Sequence, residues 1–328
     1  MKTHEEDGSN GVADGEGIRG AAIPGAFGGT RGSAMNSAES GISPLRPLYW
    51  SVRRELWENR SIYVAPLAVA AVFLVGFFIG LIRFSERMRA AAALGPLQRQ
   101  EAIEQPYVFV AIMLMAIALI VGVVYCLDAL YGDRRDRSIL FWKSLPVSDV
   151  TTVLSKASIP ILVLPLVTFL VTVATQFIML LVSSVVLAAA GMSATALWTH
   201  VPFFEVSVTN FLHVVVFHGI WYAPFYGWLL LASAWAKRAP LLWATLPPVA
   251  IGVVERIAFN TSHFAATLQY RLFGSMESDA PADKMTMDML EFGPLGQFLT
   301  SPGLWVGLVV TAVFLTAATR LHRSRGPI

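Results

Sequence analysis

The sequence has a single cysteine, Cys126, which lies inside a long apolar run. One cysteine excludes an intramolecular disulfide bond, and it also excludes a metal site built from several thiolates. We therefore interpret Cys126 as a small packing residue.

Lysine is also scarce, and the positions of the lysines exclude one class of enzyme. The phosphate loop of nucleotide hydrolases needs a glycine directly before its lysine, and no lysine of this chain follows a glycine. The HExxH motif of zinc proteases and the GxSxG motif of serine hydrolases do not occur either. These absences predict that the chain does not hydrolyse ATP through a phosphate loop, and we expect it to bind no metal or cofactor of its own.

Charged residues make up only 14% of the chain, whereas hydrophobic residues make up 55% and the mean hydropathy is +0.60. These values lie outside the range of soluble domains and predict an integral membrane protein. The formal net charge of +2 is too small to indicate a nucleic-acid partner.

Residues 1–44 differ in composition from the rest of the chain. They are rich in Gly, Ser, Ala and acidic residues and have no apolar periodicity, so we expect a disordered tail. No apolar core of a signal peptide follows Lys2. Met35 stands shortly before the first patterned segment and is an alternative start of the natural chain. Residues 45–328 are predicted to form one transmembrane domain.

Six apolar runs follow residue 60, and crossing a bilayer core of about 30 Å needs roughly 20 helical residues. We expect an all-α polytopic membrane protein with six spans. Pro160 and Pro165 in the third run predict a kink or tilt, and Pro247-Pro248 leave open whether the fifth is continuous or re-entrant. The predicted spans cover about 61–82, 107–130, 157–185, 209–235, 239–257 and 303–321.

The distribution of basic residues predicts the orientation of these spans. Loops on the same side as the N-terminus carry about twice as many Lys and Arg residues as the opposite loops. The positive-inside rule therefore places both termini in the cytoplasm. Before the first span, the segment from Pro47 to Arg60 combines aromatic and charged residues in an amphipathic pattern, which is typical of a helix on the membrane surface.

The segment from Asp133 to Lys156, here called the central hinge, lies between the second and third apolar runs. A dense run of basic and acidic residues from Asp133 to Arg137 precedes the bulky pair Phe141 and Trp142, so a helix here would be amphipathic. Pro146 should end that helix, and Ser148 offers an N-cap for the next one. Two interpretations remain open, namely an ordinary basic loop that sets topology and a docking surface for a partner.

Polar side chains inside a span are costly and therefore informative. Thr168, Thr172, Thr175 and Gln176 form a stripe at helical spacing, which suits either interhelical hydrogen bonds or a substrate path. His213 and His218 are five residues apart, about 140° around an α-helix, which disfavours metal binding by this pair alone. Thr168, Thr172, Gln176, His213 and His218 are our candidates for a substrate path.

The layout of six spans, a preceding surface helix and a charged hinge resembles the permease subunits of type-2 ATP-binding cassette (ABC) exporters. Members of that family carry an acidic residue, a Gly-Thr pair, a leucine-rich stretch, Pro-Val-Ser and then a lysine before the third span. The corresponding residues here are Asp136, Ser138, Ile139 to Trp142, Pro146-Val147-Ser148 and Lys156, while Arg137 replaces the glycine.

The resemblance implies that the chain is not itself an enzyme but has a transport function, with energy from a separate ATPase subunit that would bind ATP and Mg²⁺. It further implies a second permease copy, identical or related, and a location in the plasma membrane (the bacterial inner membrane). It implies a connector helix that includes Trp50, Arg53, Arg54 and Trp57. The coupling helix that contacts the ATPase would involve Asp133, Arg134, Arg135, Asp136, Arg137, Phe141, Trp142 and Pro146.

Two functions of other classes are also compatible with the sequence. One is an ion-coupled carrier or membrane enzyme that works alone, with the histidines and Asp128 in a proton or substrate path. The other is a membrane anchor that holds a complex together without transport. Activity of the isolated chain without ATP would distinguish the first of these from a permease subunit.

Overall fold

The computed structural model describes residues 45–136, 148–201, 203–273 and 299–324, and these contain helices and no strand. The prediction of an all-α protein is therefore confirmed. The predicted tail (1–44) and the middle of the central hinge (137–147) lie outside the described residues. The α-helices are α1 (Leu45–Glu58), α2 (Ser61–Gly80), α3 (Phe84–Ala92), α4 (Pro96–Arg135), α5 (Asp149–Ser158), α6 (Leu164–Ala189), α7 (Thr195–His200), α8 (Phe203–Phe211), α9 (Ala223–Trp235), α10 (Pro240–Phe259), α11 (His263–Phe273) and α12 (Pro302–Ser324).

Two π-helical segments interrupt this α-helical pattern. The first, π1 (Ile159–Val163), joins α5 to α6, and the second, π2 (Leu212–Trp221), joins α8 to the turn before α9. Pro160 lies within π1, where its missing N–H removes one α-helical hydrogen bond. The sequence predicted a kink or tilt in the third span, and the structure has a change of helix type there, from α to π and back to α.

Six helical segments of the described chain are long and apolar enough to cross a membrane, which confirms the prediction of a polytopic protein. The helix of the second span extends well beyond its apolar run, because α4 has 40 residues and a length of about 60 Å. Its first turns are rich in Gln and Glu, which favour helix without being apolar. The fifth segment, α10, is a continuous helix through Pro247-Pro248.

Helix α4 forms the centre of the bundle. Toward its C-terminal end it packs with α5, α9 and α12 in a buried cluster that includes Cys126, Leu130 and Tyr226. Toward its N-terminal end it packs with α2, α6 and α7 around Leu114 and Met179. The two clusters place the polar groups described below at opposite ends of α4.

Candidate functional site

A buried lysine lies where three helices meet beside the central hinge. Lys156 of α5 is only 2% exposed. Its Nζ lies 3.0 Å from Oε1 of Glu55 in α1 and 3.2 Å from Oδ2 of Asp133 in the last turn of α4. We call Glu55, Asp133 and Lys156 the ionic cluster. It joins α1 to both helices that flank residues 137–147.

Further donors satisfy the Glu55 carboxylate. The hydroxyl of Tyr125 donates to Oε2 at 2.9 Å, and Nη2 of Arg54 donates to Oε1 at 3.1 Å. Burial by itself raises the pKa of Glu55, but Lys156, Tyr125 and Arg54 together hold the pKa below its ordinary value. Glu55 is therefore a carboxylate at neutral pH, and its two oxygens fix the position of α1 against α4 and α5.

The lowered pKa of Glu55 predicts a loss of stability in acid. A depressed pKa contributes stability above the ordinary value of 4.5, and this contribution disappears as the pH falls through the folded-state pKa. We expect the thermal unfolding midpoint of the chain in lipid nanodiscs to decrease as the pH is lowered below about 4.5. In Glu55→Gln this decrease should be less steep. The exposed Glu101 serves as the control, so Glu101→Gln should keep the wild-type profile. Parallel profiles for wild type and Glu55→Gln would contradict the prediction.

A second polar contact ties α12 to the start of α5. Nδ1 of His322 lies 3.0 Å from Oδ1 of Asp149. Ser148 caps α5 by accepting a hydrogen bond from the N–H of Thr151 at 3.1 Å, as its sequence position predicted. Helix α5 is thus bound to α1 and α4 through Lys156 and to α12 through Asp149.

The end of α4 is also fixed to α9. Nη1 of Arg134 donates to the carbonyl of Ala234 at 2.7 Å and to that of Ala236 at 3.1 Å. The Ser233 hydroxyl donates to the carbonyl of Leu127 and accepts from the N–H groups of Leu130 and Tyr131. Ser233 therefore inserts into the backbone hydrogen bonds of α4.

The predicted docking residues divide into three groups. Asp133 and Arg134 are built into the fold through the contacts above, so their side chains are not surface groups. Arg135 and Asp136 are exposed and pair with each other at 2.9 Å, and this hydrogen bond lowers the pKa of Asp136. Arg137, Phe141, Trp142 and Pro146 lie outside the described residues.

The predicted connector residues lie on α1, whose exposed face is aromatic and basic. The guanidinium of Arg53 lies 5.2 Å from the ring centroid of Trp50 and 5.9 Å from that of Trp57. Arg54 faces the other way and pairs with Glu55 and Glu58. The exposed rings suit the headgroup region of a bilayer, while the opposite face carries Glu55 into the ionic cluster.

The polar stripe of the third span is buried, and its members have different partners. The hydroxyls of Thr168 and Thr172 donate to the carbonyls of Leu164 and Thr168 in their own helix, both at 2.8 Å. Gln176 bonds between helices, because its Nε2 donates to the carbonyl of Tyr107 at 3.0 Å and its Oε1 accepts from Asn210 at 2.9 Å. The threonines are thus locally satisfied, whereas Gln176 belongs to a network between α4, α6 and α8.

The two histidines lie on π2, so the α-helical angle assumed from the sequence was wrong. In a π-helix residues five apart lie about one turn apart. The rings nevertheless use different partners, since Nδ1 of His213 lies 2.8 Å from the Thr209 carbonyl and Nε2 of His218 lies 3.0 Å from the Tyr226 hydroxyl. Within the described ranges no group of three or more His, Cys, Asp or Glu side chains could hold a metal ion.

Sequence reasoning missed the pairing of Glu55 with Lys156 and the role of Asn210. One signal was present for the lysine, because a lysine directly before an apolar run needs a partner when the helix is buried. The partner could not be identified from the pattern, since Glu55 lies on a different helix, α1, far away in the chain.

Comparisons with protein-family models, with curated proteins and with solved structures found no match to this chain.

Proposed function

We propose that this chain is the membrane-spanning permease subunit of a type-2 ABC exporter, driven by a separate ATPase that docks on the central hinge. The observation that supports this most is the ionic cluster. It connects the surface helix and both flanks of residues 137–147 through buried charged contacts of 3.0 and 3.2 Å.

The geometry around the hinge suits the transfer of a mechanical force. A movement of residues 137–147 would act on α4 and α5, which the ionic cluster joins to α1 and the His322 contact joins to α12. Replacing a whole buried ion pair with apolar residues is often neutral for net stability, so we propose that the role of this cluster is to fix the relative positions of the helices. The four helices would therefore respond together rather than one at a time.

The source of energy in this proposal is a partner. The chain contains no phosphate loop, so ATP and Mg²⁺ would be bound by the ATPase subunit. A second permease copy, identical or related, would complete the transporter, and the translocation path would lie between the copies.

The decisive experiment replaces the aromatic pair of the hinge. Tagged full-length chain is purified from its native membranes into lipid nanodiscs, co-purifying chains with a phosphate loop are identified by mass spectrometry, and ATP hydrolysis is measured. We expect an ATPase to co-purify with wild type, and Phe141→Ala/Trp142→Ala to reduce both its recovery and ATP hydrolysis at least about tenfold, as expected when a central aromatic anchor is lost.

The matched control removes one exposed phenylalanine and one exposed tryptophan elsewhere. Phe204 and Trp305 are 78% and 59% exposed, so Phe204→Ala/Trp305→Ala should keep the ATPase. Recovery of the same amount of ATPase with the hinge variant, or transport by the purified chain without ATP, would contradict the proposal.

A further inference from the structure

A cavity lies near the other end of α4 from the ionic cluster. Its volume is about 320 Å³, and it is lined by residues of α4, α6 and α8 and by Val201, which follows α7. Glu104 on its wall stands 29 residues before Asp133, which corresponds to about 44 Å along the helix. The volume falls at the lower end of the usual range for small-molecule sites, about 300–1,000 Å³.

The orientation of the two buried amides in this wall follows from their hydrogen bonds. The Tyr107 carbonyl can only accept, so the nitrogen of Gln176 must face it and its oxygen must face Asn210. The nitrogen of Asn210 then donates to that oxygen at 2.9 Å. This order leaves Oδ1 of Asn210 without a partner among the described residues, on a side chain that is only 7% exposed.

The charges around the cavity have one sign. Glu104 and Glu205 both line it, and the described lining residues include no lysine or arginine. Glu104 accepts a hydrogen bond from Gln100 at 2.9 Å, and within the part of the chain that the structure describes neither glutamate forms a salt bridge. The cavity thus offers two carboxylates and the amide oxygen of Asn210, all of which are acceptors.

From this arrangement we propose that the cavity binds a small organic cation that carries N–H donors, such as a primary ammonium group. The ammonium would donate to Asn210 at the buried end and pair with Glu104 and Glu205 on the wall. As a statement about the exported cargo this inference rests on the proposed function. As a statement about binding it requires neither ATP nor a partner.

The test measures binding to the purified full-length chain in lipid nanodiscs by calorimetric titration. The probes are benzylamine, its uncharged analogue benzyl alcohol, and MgCl₂. We expect benzylamine to bind and the other two to bind at least about tenfold more weakly, because a charged donor is lost or the N–H groups are absent. Glu104→Gln/Glu205→Gln and Asn210→Leu should each weaken benzylamine binding about tenfold or more.

The matched control is Glu86→Gln/Glu101→Gln, which removes the same charge from two exposed residues that do not line the cavity. It should bind benzylamine as wild type does. If benzyl alcohol binds as tightly as benzylamine, the cavity is an apolar site. If Mg²⁺ binds more tightly than benzylamine, it is a site for an inorganic cation. If the control variant loses as much benzylamine affinity as the cavity variants, the effect comes from surface charge. Each of these results overturns the proposal, as does undetectable benzylamine binding, and none depends on the ATPase.

Discussion

Replacing Lys156 with methionine is expected to destabilise the protein by about 3–5 kcal/mol, as measured by unfolding of the purified chain in mixed micelles. This is the usual effect of removing one partner from a buried ion pair, because the remaining charge keeps its desolvation cost without compensation. Here two carboxylates, Glu55 and Asp133, would lose their common cation. Methionine is similar in length to lysine, so little of the loss would come from an empty volume.

The physical cause can be separated from loss of packing by removing the carboxylates as well. The triple variant Lys156→Met/Glu55→Gln/Asp133→Asn carries no buried charge in the cluster, and we expect it to regain most of the lost stability. The exposed Lys237 provides the control, and Lys237→Met should change stability by less than about 0.5 kcal/mol. A Lys156→Met variant as stable as wild type would show that the cluster is not a structural unit.

Replacing Gly219 with alanine is the second change with a large expected effect. Gly219 in π2 lies directly against the carbonyl of Ile161 in π1, and a Cβ built on the glycine would overlap that carbonyl oxygen. Pro165 has no N–H, so this carbonyl cannot form its α-helical hydrogen bond and is free to face the glycine. Because the obstacle is backbone, the two segments must separate, and we expect a loss of about 3 kcal/mol.

Gly252 is the matched control for this substitution. It lies inside α10, and a Cβ there would meet no atom within 4 Å. Gly252→Ala should be neutral or stabilising by up to about 1 kcal/mol, because alanine is the better helix former. The contrast would be measured as unfolding midpoints of both variants under identical conditions. If Gly219→Ala unfolds like Gly252→Ala, the close contact between the π-helices does not exist in solution.

The sequence alone predicted the helical class, the number of long apolar helices and the Ser148 cap, whereas the fourth apolar segment is Phe203–Trp221 rather than the predicted 209–235. Each of these is a local property, since it depends on a run of apolar residues or on one side chain next to its own helix. The length of α4 was underestimated from the sequence. The apolar run shows only the part that could lie in a membrane, whereas the polar residues before Tyr107 also favour helix and extend α4 to Pro96.

The tertiary structure decided what lies between the helices. It placed Glu55 and Asp133 around Lys156, and Asn210 beside Gln176, although no periodicity relates these positions. It also brought the backbone of π2 at Gly219 against the carbonyl of Ile161, which lacks its α-helical donor because Pro165 has no N–H. Partners of buried polar groups are selected by three-dimensional proximity, and a one-dimensional pattern carries no record of that.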